Sequence, residues 1–321
     1  MEQNKQKTGK FTAKKIVSAV GTLLMVASLA FIAQRLMASE MDFALLASPW
    51  TVAGLLAVAM MEGSGILAAG VNFRSLIRNV SGVLVTPALA MKVYATSNIY
   101  KYIPGGIMYV LGRNVIAVEN KNIGHGKVAM ATALEGVFIV VAAIILIIVL
   151  AFDYAMAYIQ HIEIAPPILI VPIILLALAL LVAYLLRRRI IPHIRKLAIN
   201  KDVLHPLILL KRLGFSIIIL ILLGWTFLAT LMILGQSVTP SLAAAVVGLY
   251  LLAWLAGFLT PGAPSGLGIR EAVALMFMGN LVDCEVVLLS AIVTHRVVHA
   301  VGDVFAYCVA GVYYKIDLLR K

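Results

Sequence analysis

Six runs of apolar residues, at about 16–37, 50–71, 128–152, 166–186, 213–234 and 286–313, constrain this chain more than any motif in it. Crossing about 30 Å of hydrocarbon takes roughly 20 helical residues. Inside that hydrocarbon each backbone N–H and C=O must find a partner within its own segment, which selects helices. Hydrophobic residues make up 63% of the 321 residues and charged ones 12%, against about 25% charged in a soluble domain. A water-soluble surface cannot be built from that supply. The expected fold is all-α: a polytopic membrane helix bundle forming a single integral membrane domain over 1–321. The first run is too long for a signal-peptide core and reaches Gln34 and Arg35, so it is read as a membrane anchor of the mature protein. Cys284 and Cys308 lack the spacing of a disulfide scaffold or a zinc site.

The net charge of +12 suggests a polyanionic partner until its placement is considered. Lys5, Lys7, Lys10, Lys14 and Lys15 lie in a basic tail over 1–15, Arg74 and Arg78 follow the second run, and Lys121 and Lys127 precede the third. A basic loop over 187–212 holds Arg187, Arg188, Arg189, Arg195, Lys196, Lys201, Lys211 and Arg212, and Lys315, Arg320 and Lys321 close the sequence. The alternate loops, about 38–49, 153–165, 235–240 and 279–285, hold no Lys or Arg. This asymmetry is the positive-inside pattern and puts both termini and the basic loop in the cytoplasm of a multi-pass cell-membrane protein. No nucleic-acid partner is expected. The basic loop is also suited to anionic headgroups of the inner leaflet.

Two further stretches, about 81–118 and 241–285, are apolar but broken by Pro and Gly. Charge parity makes the first enter and return from the inside and the second from the outside. Each contains the same motif. Pro104, Gly105 and Gly106 run to Gly112 and Arg113; Pro261 and Gly262 run through Gly266 and Gly268 to Arg270, 157 residues later. Proline removes a backbone donor and glycine loosens the chain, so each motif should break a helix at membrane depth. The reading is six full spans plus two inverted broken hairpins, in pseudo-repeat halves of about 16–165 and 166–321. Paired breaks of this kind point to a transporter's binding site, with half-helix N-termini suited to an anion. Ordinary kinks or tightly packed crossing helices keep the same parity.

Ionisable residues inside apolar runs are costly and tend to be functional. Here they are Arg35, Glu62, Lys92, Glu135, Arg270, Glu271, Arg296 and Asp303. Mutual neutralisation accounts for them without a substrate, and Arg35 and Lys92 can reach the interface. Candidate substrate-binding residues are Arg113, Arg270, Glu271, Glu135, Glu62, Arg296 and His299. His295, His299 and Asp303 share one helical face. A two-His-one-carboxylate metal site is a weak reading of that face, and a polar cavity lining is the stronger one. No metal or cofactor is assigned.

Lys101-Tyr102-Ile103-Pro104-Gly105-Gly106 running to Gly112-Arg113, then Glu135, then Pro261-Gly262 running to Gly266-Leu267-Gly268-Ile269-Arg270-Glu271-Ala272, resembles the transmembrane region of lysylphosphatidylglycerol synthases. The similarity is to the flippase-like family of that name, in its stand-alone form, and covers nearly the whole chain. It implies a lipid-translocating domain linked to cell-envelope or lipid-linked glycan assembly. Aminoacyl transfer belongs to a separate soluble domain in the complete synthases and is not expected of these residues. Many relatives carry an arginine directly after the helix glutamate; this chain has Gly136, so no role needing that pair is carried over.

The expected function is that of a flippase or scramblase-like transporter. Its substrate would be an anionic or aminoacylated phospholipid or a lipid-linked sugar, with Arg113 and Arg270 on the phosphate. No Walker-type phosphate loop is visible, so ATP is not expected as the direct energy source. The alternative is an intramembrane enzyme, or an accessory scaffold, in polyprenyl-linked glycan biosynthesis. A glycosyltransferase, an aminoacyl-lipid synthase and a second copy of the chain are the candidate protein partners.

Overall fold

A computed structural model of the chain describes residues 48–102, 108–119, 123–161, 205–260, 264–279, 281–282 and 284–320. The described residues are helical, with no strand among them. In chain order they form α1 (Pro49–Ser81), α2 (Pro87–Ile99), a 3-10 turn (Tyr100–Tyr102), α3 (Met108–Arg113), α4 (Val115–Glu119), α5 (His125–His161), α6 (Pro206–Ile233), α7 (Pro240–Leu259), a second 3-10 turn (Pro264–Gly266), α8 (Ile269–Met278) and α9 (Glu285–Leu319). Among the described residues five helices are long and apolar enough to cross a membrane: α1, α5 over His125–Ala151, α6, α7 and α9. The expected runs at 16–37 and 166–186, Arg35, the tail over 1–15 and most of the basic loop lie outside the described residues.

Proline sets the starts of four helices. Pro49, Pro87, Pro206 and Pro240 occupy the first turns of α1, α2, α6 and α7, where the missing N–H costs nothing and the fixed φ suits the helix. The preceding side chain often completes the cap. Thr86 Oγ1 accepts from Leu89 N at 3.2 Å, and Thr239 Oγ1 from Leu242 N at 3.4 Å. At its other end α1 stops at Gly82, which turns left-handed (φ 76°) and donates its N–H to Arg78 O. Pro49 and Pro206 are separated by the same 157 residues as Pro104 and Pro261.

The two larger of four apolar clusters among the described residues hold most of the bundle. One joins α1, α2, α4 and the start of α5 around Phe73, Ile77, Val93, Ile116 and Val128. The other joins the middle of α5 to α6, α7, α8 and the start of α9 around Phe227, Leu231, Leu249, Leu251 and Leu288. The outward faces remain apolar: Val149, Leu210 and Ile218 are 72%, 65% and 64% exposed, which suits lipid. α9 crosses α1 where Gly63 and Gly302 meet. A Cβ on Gly63 would lie 2.6 Å from Gly302 O, a backbone approach that small residues allow between membrane helices. That contact sets the neighbouring Glu62 beside His299.

The two broken segments differ in build. The first has a 13-residue α2 before its break and a 6-residue α3 after it; the second has the 20-residue α7 and the 10-residue α8. In both, the helix stops before the motif, as the Pro and Gly content predicts.

Candidate functional site

The breaks converge on one place. The 3-10 turn Tyr100–Tyr102 packs beside the 3-10 turn Pro264–Gly266. Between them, α1, α6 and α7 lies a cavity of about 520 Å³, within the range of small-molecule and cofactor sites. Its walls are mainly apolar, with Ile66, Ile139, Leu223, Trp254 and Phe258 among them, and both cores contribute. Its polar lining comes from Glu62, Tyr94, Asn98, Lys101, Tyr109, Arg270 and His299.

Backbone geometry shapes the second turn. Gly266 has φ 67° and Gly268 φ 82°, and the one non-glycine with positive φ among the described residues, Ser265, sits beside them at 53°. A Cβ on Gly266 would lie 2.7 Å from Gly257 Cα, so the turn rests directly on α7. α8 then starts with Gly268 N–H donating to Glu271 Oε2 at 2.7 Å, the return half of a capping box. Arg296, from α9, fastens the turn. Its Nε pairs with Glu271 Oε1, its Nη1 donates to Ser265 O at 3.0 Å and its Nη2 to Gly266 O at 3.2 Å.

Three cations near the site have carboxylates. Arg113 pairs through Nη1 with Glu135 Oε2 and donates from Nη2 to the Tyr109 hydroxyl. Its guanidinium carbon lies 4.7, 4.3 and 4.4 Å from the ring centroids of Phe73, Tyr94 and Tyr109, a cation–π enclosure. Tyr94 OH donates to Glu135 Oε1 at 3.0 Å and completes it. Arg296 pairs with Glu271 as above. Lys101 Nζ lies 2.8 Å from Asp303 Oδ2, and the same carboxylate accepts from Asn98 Nδ2 at 2.5 Å and from Tyr102 OH at 2.5 Å.

Arg270 is different. It is 94% buried, being 6% exposed, lines the cavity, and forms no ion pair with any carboxylate among the described residues. Tyr250 lies beside it and its hydroxyl approaches the guanidinium, while Arg270 Nε has no hydrogen-bond partner. Also lining the cavity, Glu62 has no Lys or Arg partner among the described residues. His299 Nδ1 lies against its Oε1, yet neither carboxylate oxygen has a hydrogen-bond partner.

The residues singled out from sequence therefore divide. Glu62, Arg270 and His299 line the cavity. Arg296 and Glu271 stand one layer behind and hold the turn. Arg113 and Glu135 pair in an aromatic enclosure, and Arg113 is fully buried and not among the cavity's lining residues, although its Nε, like that of Arg270, has no hydrogen-bond partner. Lys92 sits at the rim, 4.0 Å from Glu119 and over the Tyr314 ring at 3.9 Å. Gly112 packs on the Tyr100 ring, where a Cβ would come within 2.7 Å. Pro104, Gly105, Gly106, Pro261 and Gly262 lie outside the described residues. The face His295, His299, Asp303 is regrouped: Asp303 is taken by Asn98, Lys101 and Tyr102, and Glu62 from α1 joins the histidines, one ligand atom of each lying within 4.8 Å of the others. Sequence reasoning passed over Lys101 and Asn98 as site residues, although Lys101 directly precedes the first motif. Comparison of the chain with protein-family models and with curated proteins finds no match.

Proposed function

We propose that the chain translocates a lipid with an anionic headgroup, the cavity taking the headgroup and Arg270 its phosphate. The observation that carries this reading is Arg270 itself: a buried cation on a cavity wall, in a site where Arg113, Arg296 and Lys101 each have a carboxylate. Removing a charge from water is costly unless a partner compensates it. A phosphodiester oxygen in the cavity supplies that partner, and two N–H edges of one guanidinium match two phosphate oxygens. Apolar walls on α6 and α7 suit the lipid's glycerol and upper acyl region, and the broken backbone is tolerated at this depth because it lines a cavity.

The resemblance to the flippase-like transmembrane region points the same way, as does the 157-residue offset shared by the helix starts and the motifs. In this reading the halves form an inverted repeat around the cavity, with both termini cytoplasmic. The substrate is an anionic or aminoacylated phospholipid or a polyprenyl-linked sugar.

The test is leaflet exchange in vesicles reconstituted with purified protein, using fluorescent phosphatidylglycerol, phosphatidylcholine and polyprenyl-phosphate sugars with an impermeant quencher. Exchange of an anionic lipid above protein-free vesicles, lost in Arg270→Met with the fold intact, is the expected result. Equal exchange in Arg270→Met overturns the assignment of Arg270. Exchange absent across the panel overturns translocation of these lipids.

A further inference from the structure

We infer that Glu62 and His295 form a proton site whose occupancy is tied to anion binding at Arg270, making the transporter a proton–anion symporter. This deepens the translocation reading and rests on it. The argument is hydrogen-bond accounting across three side chains.

Thr230 has one hydroxyl proton, and it is committed: Oγ1 donates to Thr226 O at 2.9 Å. Its contact with His295 Nδ1, at 3.2 Å, therefore has the ring nitrogen as donor. A neutral imidazole carries one N–H, so His295 Nε2 is a bare lone pair, and it has no partner. Phe227 and Tyr250 hold the ring edge-on, with centroids 5.4 and 5.3 Å away.

The His299 tautomer follows in the same way. Lys101 Nζ lies 2.7 Å from His299 Nε2, and an ammonium can only donate. The proton of His299 is then on Nδ1, against Glu62 Oε1. Two acceptors are then left without a donor, the second Glu62 oxygen and His295 Nε2, in side chains 94% and 97% buried whose carboxylate and imidazole ligand atoms lie within 4.8 Å of each other. One proton on Glu62 supplies the donor that these two acceptors lack.

Charge counting links that proton to the substrate. Around Glu62, the α9 groups are His295, His299, Arg296 and Asp303, the turn supplies Lys101 and Tyr102, and α2 and α3 supply Tyr94 and Tyr109. Behind His295, α8 and α7 supply Arg270, Glu271 and Tyr250. Lys101 cancels Asp303, Arg296 cancels Glu271, Arg113 cancels Glu135, and the tyrosines are neutral. Glu62 and Arg270 remain, and they balance across the empty cavity. A bound monoanionic phosphodiester leaves the site one negative charge in excess, and a proton on Glu62 removes it.

The probe is dihexanoyl phosphatidylglycerol, whose phosphodiester keeps one charge from pH 5 to 9. Its binding to the purified protein in detergent is measured against pH. The expected affinity falls about tenfold per pH unit on the alkaline limb, the slope of one linked proton. Glu62→Gln should bind with that slope abolished, and Arg270→Met should not bind. Infrared spectra with the probe should contain an acid carbonyl band that Glu62→Gln removes. Binding without pH dependence in the wild type, or an unchanged slope in Glu62→Gln, overturns the proton site and leaves the anion site standing. No binding at any pH overturns the anion site for this headgroup; the proton site then fails too unless the carbonyl band titrates alone. Stoichiometric zinc in the purified protein, released by His295→Gln, overturns the tautomer argument.

Discussion

Arg113 and Arg270 stand at the same position of the same motif, and the structure uses them in opposite ways. Each follows a Pro-Gly break by the same nine residues, and both are buried, at 0% and 6% exposure. Arg113 is closed in by Glu135, Tyr94, Tyr109 and Phe73. Arg270 lines a cavity and forms no ion pair with a carboxylate among the described residues, its neighbour Glu271 being taken by Arg296. The difference lies in which element supplies the acid. In the first half the arginine belongs to the broken segment and the glutamate to the next long helix. In the second half the glutamate, Glu271, belongs to the broken segment, and the arginine, Arg296, to the long helix. Arg270 is then left over. One arginine of the pair is therefore closed in by a carboxylate and aromatic rings, and the other is left on the cavity wall.

The strongest way to break this contrast is to remove Arg113. Arg113→Met leaves Glu135 buried without its cation, which costs about 3–5 kcal/mol, and forfeits an aromatic contact set of about 2 kcal/mol when desolvated. Thermal unfolding of the detergent-solubilised protein should show a large loss of stability. Arg113→Lys should recover little, because an ammonium cannot bond Glu135 and Tyr109 in the fixed fork. Unchanged stability in Arg113→Met would dissolve the structural half of the comparison.

Second in size is the staple on the other half. Arg296→Lys keeps the charge beside Glu271 but gives up the fork that reaches Ser265 O and Gly266 O, leaving buried acceptors unsatisfied at about 1–3 kcal/mol. The expected outcome is a moderate loss of stability together with weakened anion binding, since the turn that carries Arg270 loses its anchor. Loss of stability with unchanged binding would separate the turn from the site.

Much of this was legible before the structure, and the limits are instructive. Run length located α1, α5, α6 and α9, and the Pro/Gly breaks located both interruptions, because those signals are local; α7, read as part of a broken hairpin over 241–285, is by itself long and apolar enough to cross a membrane. The four X-Pro helix starts were equally local and were overlooked. The roles of the two arginines were not local. The similarity of the motifs suggested equal roles, yet Glu135 lies 22 residues after Arg113 and the residue at the same distance after Arg270 is Ile292. That asymmetry was readable, but only with the knowledge that a carboxylate on the next helix could reach back. Asp303 illustrates the opposite limit. It shares a helical face with His295 and His299, but its partners Asn98, Lys101 and Tyr102 lie about 200 residues away, and only packing at Gly63 and Gly302 brings Glu62 in its place.

Arg270 gives the third effect, small for stability and large for binding. Arg270→Met removes a desolvated charge that has no carboxylate to strand, so the fold should change by less than about 1 kcal/mol, in either direction, as for buried charges replaced by apolar groups of similar volume. Thermal unfolding beside Arg113→Met reads the contrast directly. A destabilisation as large as that of Arg113→Met would mean that Arg270 has a structural partner after all, and the free half of the site would disappear.

The smallest effect is expected at Lys92, and it calibrates the others. Lys92 lies in an apolar run, as Glu62 does, but its side chain is 38% exposed and its partner Glu119 is 31% exposed and 4.0 Å away. A pair with that much access to solvent is worth about 0–1 kcal/mol, and the Tyr314 ring adds little at an exposed site, roughly 0.5–1 kcal/mol. Lys92→Ala should therefore leave anion binding unchanged and lower stability by no more than the sum of those small terms. The measurement is the same thermal unfolding and dihexanoyl phosphatidylglycerol titration used for the arginines. If Lys92→Ala weakened binding as Arg270→Met does, position inside an apolar run would be enough to mark a functional charge. The distinction between paired and unpaired cations, on which the assignment of Arg270 rests, would then carry no weight.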